Sequence, residues 1–278
     1  MRIGIIAQGE MGTGIGWRLA QSGAEVSTCV VGRSAASRER AERAGIKIVG
    51  DDEALIANCD MLLSILPPSE ALSLAQRLAP ALSAQKGRVL YVDCNAVAPE
   101  TVRRVAAAIA PTGSAFADVG IVGGPPRPGY VPRLYVSGEA AQKFLALRDF
   151  GLEILVVEGG IGAASALKLS YAALTKGLTA IGIAVARGAT SDGVAEMLRA
   201  EFLASQPELH KWLTRQMPTM IPKAYRWVGE MEEIARFLGD DPTAAMFEGA
   251  ARSYEKIAAA KQKGDHAALE FLTEVFKR

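Results

Sequence analysis

Histidine and cysteine are scarce in this chain: two histidines, His210 and His266, and three cysteines, Cys29, Cys59 and Cys94, in 278 residues. Both histidines lie among polar residues without clustered cysteines or carboxylates at ligand spacing, so a zinc centre or a histidine-based triad is not expected. The cysteines are odd in number, lack CxxC spacing and sit inside apolar runs, which suits reduced, structural thiols in a cytoplasmic protein. An excess of one charge is also missing. Thirty-one Lys plus Arg face 30 Asp plus Glu, a net +1, too balanced for affinity driven by neutralising nucleic-acid phosphates. The opening MRIGIIAQGEMG has a short apolar run that meets glycines at once, unlike a secretory signal. The most apolar later run, GLTAIGIAVARGA, is hemmed by Lys176 and Arg187 and falls short of the ~20 residues a membrane span needs. The expectation is therefore a cytoplasmic chain with no nucleic acid, membrane or metal partner.

Half of the residues are apolar and 22% are charged, enough to bury a sizeable core. Up to about residue 160, short β-branched runs alternate with amphipathic stretches. The runs are RIGIIA, AEVSTCVV, IKIV, DMLLSIL, RVLYVD, AFADVGIVG, RLYVSG and LEILVVEG. Parallel strands need crossover connections, and helices supply them here, which predicts an α/β fold with a Rossmann-type doubly wound sheet. After Gly160 the pattern turns helical and no comparable strand signal returns. The domains are expected at 1–160, binding a dinucleotide, and 161–278, all-helical. The long helix from GAASALKLSYAAL onward is apolar nearly all round, which points to burial, partly against a second subunit of a homodimer.

The first run leads into Ala7-Gln8-Gly9-Glu10-Met11-Gly12 and then a helix. This is a GxGxxG turn with alanine in the first position; its glycines let the backbone approach a pyrophosphate held at the helix N-terminus. A turn whose glycines serve packing alone is the competing reading. About 20 residues on, where NAD binders carry Asp or Glu for the ribose 2′-hydroxyl, the chain reads Gly32-Arg33-Ser34, with Arg38 beyond. A guanidinium and a hydroxyl suit a 2′-phosphate, favouring NADP(H). Arg40 and Arg43 read as a solvated helix face.

Gly9-x-Met11-Gly12, Leu66-Pro67 at a strand end, Asp93-x-Asn95 with Pro99 opening a helix, Gly123-Gly124 and Lys168 early in a long helix occur in this order. The whole chain resembles the β-hydroxyacid dehydrogenase superfamily, which includes 3-hydroxyisobutyrate and phosphogluconate dehydrogenases; its helical half resembles members with a shortened C-terminal domain. The resemblance implies a Rossmann domain followed by a helical domain that dimerises. It makes Lys168 the residue that moves the substrate's hydroxyl proton. Gly9, Glu10, Met11, Gly12, Arg33, Ser34, Arg38, Leu66, Pro67 and Asn95 become cofactor-binding candidates, with Asp93 as a turn cap.

Several positions depart from that pattern. Val122 stands where the family's serine precedes Gly123-Gly124, and Tyr171 stands one turn beyond the lysine where the family has Asn. The family's later Lys-Asp pair is absent, leaving Glu230 or Glu233 as stand-ins. Tyr171 is a candidate donor or a core aromatic. The loop from Gly123 to Arg133 holds Arg127 and Arg133, a carboxylate or phosphate clamp or simply a solvated pair. Val122, Gly123, Gly124 and Arg127 are the substrate candidates. The expected activity is an NADP(H)-dependent exchange of hydride between the nicotinamide and a small, anionic hydroxy acid or its oxo form, with Lys168 as general acid/base. Imine reduction on the same architecture, or cofactor sensing without turnover, are the alternatives.

Overall fold

The computed structural model describes residues 1–277. Its strands are β1 (Arg2–Ile6), β2 (Glu25–Cys29), β3 (Lys47–Val49), β4 (Met61–Ser64), β5 (Leu90–Asp93), β6 (Phe116–Val122), β7 (Arg133–Ser137) and β8 (Glu153–Val156). Helices α1 (Glu10–Gln21), α2 (Ala35–Arg43), α3 (Asp52–Ala57), α4 (Ala71–Ser83), α5 (Pro99–Ile109) and α6 (Ala141–Phe144) intervene. After β8 come α7 (Ala163–Ser191), α8 (Ala195–Ser205), α9 (Pro207–Met220), α10 (Ala224–Leu238), α11 (Ala244–Lys263) and α12 (Phe271–Glu274). Each strand falls on one of the eight β-branched runs.

Among the described residues the strands form one sheet in the order β3-β2-β1-β4-β5-β6-β7-β8. All neighbours are parallel except β6 and β7, which run antiparallel with Val122 opposite Arg133. Chain order reverses between β1 and β4, the switch point beside which doubly wound sheets bind ligands. Helices cover both faces, so the central strands bury every side chain. In β4, Met61 and Leu63 join Ile3, Ile5, Ile15, Leu19 and Val119 on one face, while Leu62 joins Leu55, Leu78, Tyr91 and Val105 on the other. All three cysteines are free and buried in this framework; burial pushes the Cys59 thiol up to about 12 and raises that of Cys94.

Two compact units are present, Met1–Leu169 and the residues from Ser170 onward. The first therefore runs past the expected end at residue 160 and includes the opening of α7. The reason is Asp118 on β6. Its carboxylate, wholly buried, accepts from the backbone N–H groups of Gly162 (2.9 Å) and Ser165 (3.1 Å) and from the hydroxyls of Ser165 (2.6 Å) and Ser137 (3.1 Å). These bonds satisfy N–H groups that a helix start leaves without partners.

In the second unit the Tyr254 hydroxyl donates to the Lys176 carbonyl at 2.6 Å, and Trp227 meets Tyr254 edge-on at 5.2 Å. Lys176 pairs with Glu230 and lies 5.0 Å from the Trp227 ring. Glu230 and Glu233 are thus engaged inside the helical unit, Glu233 with Arg236. His210, expected in polar surroundings, is buried, its Nε2 3.1 Å from the Val275 carbonyl, because α9 turns it inward; His266 is exposed. The length argument from Lys176 and Arg187 also needs correction. All of α7, with 29 residues and a mean hydropathy of 1.4 over its most apolar window, is long and apolar enough to cross a membrane by length and composition alone. Lys176 ties this part of α7 to Tyr254, Trp227 and Glu230, while only 39% of the apolar window is buried.

A Cβ added at Gly12 would overlap the Ala7 carbonyl oxygen, whereas one at Gly9 meets nothing within 4 Å. Gly12→Ala is therefore expected to lower stability by about 1–3 kcal/mol through overpacking, with Gly9→Ala close to neutral. Urea midpoints of the two variants check this difference.

Candidate active site

The connections after β1, β2, β4, β5 and β6 all leave the sheet at its C-terminal edge, which gathers most of the sequence candidates. Gly9 is the N-cap of α1, and no side-chain cap bonds to it. The first turn of α1, Glu10 to Gly12, thus presents the positive end of the helix dipole at this edge, the kind of place that can receive an anion. Open space above Gly9 and contact beneath Gly12 divide the two glycine roles between approach of a pyrophosphate and helix-to-strand packing. Sequence reasoning missed two supports of this turn. Gln8 is buried and its Oε1 accepts from the Thr13 hydroxyl at 3.3 Å. Arg40, assigned above to solvent, reaches back so that its Nε donates to the Gln8 carbonyl at 2.8 Å. That contact joins residues 32 positions apart, beyond any local pattern.

The β2 connection is a turn in which the Arg33 N–H donates to Val30 O at 3.0 Å and Gly32 takes a φ of +71°. Ser34 is the N-cap of α2, its hydroxyl 3.2 Å from that of Ser37, and Arg38 is exposed. From the far side of β1, Glu70 approaches Arg33 with 3.4 Å between Nη1 and Oε2. Leu66 and Pro67 follow β4, and the Leu66 N–H donates to Asn95 Oδ1 at 2.7 Å.

Asn95 is almost wholly buried, and its amide also donates to the Ser64 hydroxyl and to Asp93, each at 3.0 Å. Its position is that of a brace between two strand ends, tied to the β4 connection through Leu66. Asp93 accepts the Asn95 N–H at 2.9 Å, the turn-capping role expected of it. Burial, and Asp118 opposite it on β6, push the Asp93 carboxyl up to about 7 against the hydrogen bonds from Asn95. Asp118 is raised by the same desolvation, opposed by its hydrogen bonds.

At the end of β6, Val122 is half-buried and Gly123 has a φ of +131°, a conformation that favours glycine. Space at Gly123 is taken by the Tyr130 hydroxyl, which accepts the Gly124 N–H at 3.1 Å. Tyr130, another residue missed in the sequence, restores a hydroxyl near the glycines that Val122 deprives of one. It is presented by a turn in which Arg127 and Tyr130 exchange backbone bonds of 3.0 and 2.9 Å and Gly129 has a φ of +76°. The Arg127 guanidinium lies 5.1 Å from the Tyr130 ring centroid, a cation–π contact. Arg133 is instead bound to Glu153 at 2.7 Å, so the two arginines do not form one clamp. The same loop reaches α1: a Cβ at Gly14 would lie 2.9 Å from Pro126.

Lys168 stands on α7 directly over β6. A Cβ at Gly120 would lie 2.6 Å from the Ala164 carbonyl oxygen and 2.8 Å from the Lys168 Cβ, so this glycine permits the helix to approach. Gly120 precedes Val122 by two residues on the same strand, so the Lys168 Cβ lies over β6 two residues before its end. Tyr171 belongs to the second unit and is 55% exposed, which excludes the core-aromatic alternative.

This arrangement defines a dinucleotide-binding oxidoreductase fold. A family model described as the NAD binding domain of 6-phosphogluconate dehydrogenase matches residues 2–148, and a domain of unknown function, DUF1932, matches residues 189–257. The chain belongs to that dehydrogenase family, within the β-hydroxyacid dehydrogenase superfamily, and carries its helical C-terminal region. An uncharacterized 28.5 kDa protein of Methanothermus fervidus is 33% identical over 198 residues, 71% of this chain and 74% of that one. Conserved protein MTH1747, of unknown function and described as structurally similar to 3-hydroxyacid dehydrogenases, is 29% identical, with a TM-score of 0.70 over 95% of this chain and 99% of that one. The Mycobacterium tuberculosis 3-hydroxyisobutyrate dehydrogenase with L-serine is 19% identical, with a TM-score of 0.69 over 99% and 97% of the two chains.

Because the Asp93 carboxyl is raised in the folded chain, its contribution to stability is full below its ordinary value of 3.8 and is lost as pH rises through about 7. Asp93→Asn is expected to flatten stability against pH across that window, by up to about 1.4 kcal/mol per pH unit. Urea unfolding at pH 4.5, 6 and 7.5 reads the difference from the unsubstituted chain.

Proposed function

We propose that the protein is an NADP(H)-dependent oxidoreductase that moves hydride between the nicotinamide and a small, anionic hydroxy acid or its oxo form. The observation that carries this reading is the convergence on one sheet edge of the α1 anion receptor, Arg33 and Ser34, the Gly123-Gly124 turn and Lys168. The glycine turn fits a dinucleotide, since space lies open above Gly9 where a pyrophosphate must approach. Bound cofactor supplies hydride acceptance or donation at its nicotinamide ring.

The chain's own residues do the rest. N–H groups at the start of α1 hold the pyrophosphate, Arg33 and Ser34 face the adenosine ribose, and Leu66, braced by Asn95, lines the site beside β4. Tyr130 and Arg127 receive the substrate's anionic group, the guanidinium being kept in place by the ring beneath it. Lys168 Nζ takes the hydroxyl proton when the alcohol is oxidised and returns it in reduction. The lysine on α7 favours this over imine reduction, where no alcohol proton has to move. The exposed apolar line of Tyr171, Leu174 and Ile181 on α7 suits a second copy of the chain.

Calorimetric titration is expected to give tighter binding of NADPH than NADH, a preference that collapses in Arg33→Ala. Lys168→Ala should keep cofactor affinity within about twofold and lose at least about 100-fold in kcat on a hydroxy-acid substrate; unchanged turnover removes Lys168 from the mechanism. Sedimentation at micromolar concentration should find a dimer, and a species near 29.3 kDa refutes that assembly.

A further inference from the structure

Arg33 does not project freely. Its backbone is set by the Val30–Arg33 turn, its side chain is only 29% exposed, and its guanidinium meets a carboxylate from a different connection. That carboxylate belongs to Glu70, whose backbone is fixed too, while its side chain is 46% exposed. It closes the short 3-10 turn Pro68–Glu70, where its N–H donates to Pro67 O at 3.0 Å and its carbonyl accepts the Ser73 hydroxyl at 3.1 Å.

Placement in the sheet gives the pair its meaning. β2 and β4 are the two neighbours of β1, so an ion pair between the β2 and β4 connections bridges the two sides of the glycine turn that follows β1. Glu70 thus holds the guanidinium that would receive a 2′-phosphate. A carboxylate and a phosphate offer Arg the same planar pair of acceptor oxygens. A phosphate arriving there shares or displaces the Arg33–Glu70 contact and in either case sits near the Glu70 negative charge. A ribose 2′-hydroxyl makes no such demand, since it needs no guanidinium and can itself donate to a carboxylate.

We infer that Glu70 is a specificity-determining residue, a built-in competitor that narrows the advantage of a 2′-phosphorylated dinucleotide over its unphosphorylated counterpart. The inference rests on the reading of Arg33 as the 2′-phosphate ligand. Specificity here is a difference between two affinities, and an internal anion trims one of them while sparing the other.

The test is calorimetric binding of 2′,5′-ADP and of 5′-ADP to the full chain, unsubstituted and as Glu70→Gln, Glu70→Ala, Arg33→Ala and the Arg33→Ala/Glu70→Gln double variant. Both Glu70 variants are expected to bind 2′,5′-ADP about fivefold more tightly, the size of one exposed charge contact, with 5′-ADP changed less than twofold. The gain should vanish in the double variant. If Arg33→Ala binds 2′,5′-ADP as well as the unsubstituted chain, or the unsubstituted chain binds neither nucleotide, the reading of Arg33 falls and the inference with it. If Arg33→Ala weakens 2′,5′-ADP but the Glu70 variants leave it unchanged or weaken it, the reading of Arg33 stands and the competitor is refuted, Glu70 then serving only to orient the guanidinium.

Discussion

The grip of the Asp118 carboxylate on the first turn of α7 is the contact that fixes Lys168 over the sheet. A carboxylate without water is costly, and four donors from Gly162, Ser165 and Ser137 offset that cost only when the helix start lies over β6. Gly120 then lets the helix backbone come close, and Lys168, one turn beyond Ser165, arrives at the end of the same strand. A small shift in the carboxylate would move the lysine with it. The same strand leads into the Gly123-Gly124 turn, so the positions of Lys168 and of that turn are set by one element.

On the cofactor side the equivalent role belongs to Gln8 and Arg40. In the glycine turn Gln8 is buried and Ala7 and Met11 pack on the core, and a long guanidinium from α2 holds the Gln8 carbonyl from outside. Asn95 does the same for the β4 connection through Leu66. These supports touch no reacting atom in the structure, yet they hold in place the backbone groups on which a dinucleotide would rest.

All eight strands were legible as β-branched runs bounded by turn residues, because a parallel sheet covered on both faces writes itself into the sequence as short apolar segments. Gly9, Gly12, Arg33 and Lys168 could be picked out because local spacing or family resemblance points to them. Arg40 and Tyr130 were not. Each acts through a partner that the sequence pattern does not bring near, Arg40 across two strand connections and Tyr130 through the positive φ of Gly123 and Gly129, and each looks like an ordinary surface residue in its own neighbourhood. His210 misled for the opposite reason: its polar sequence neighbours face outward while α9 turns the imidazole toward Val275. The domain limit shifted because the hydrophobic pattern of α7 is continuous, whereas the buried carboxylate that assigns its first turns to the sheet lies on β6.

The one antiparallel pair in the sheet separates two kinds of inheritance. β6 and β7 are adjacent and opposed, so the segment from Gly123 to Pro132 is a hairpin connection, closed on itself by the Arg127–Tyr130 turn. The parallel connections that build the cofactor side each carry a crossover helix and cannot change length without disturbing the layers. The hairpin can be exchanged for another of different length and chemistry while both strand ends stay in register. If this segment receives the substrate as proposed, substrate choice would be free to diversify there while the nucleotide-binding framework stays in place.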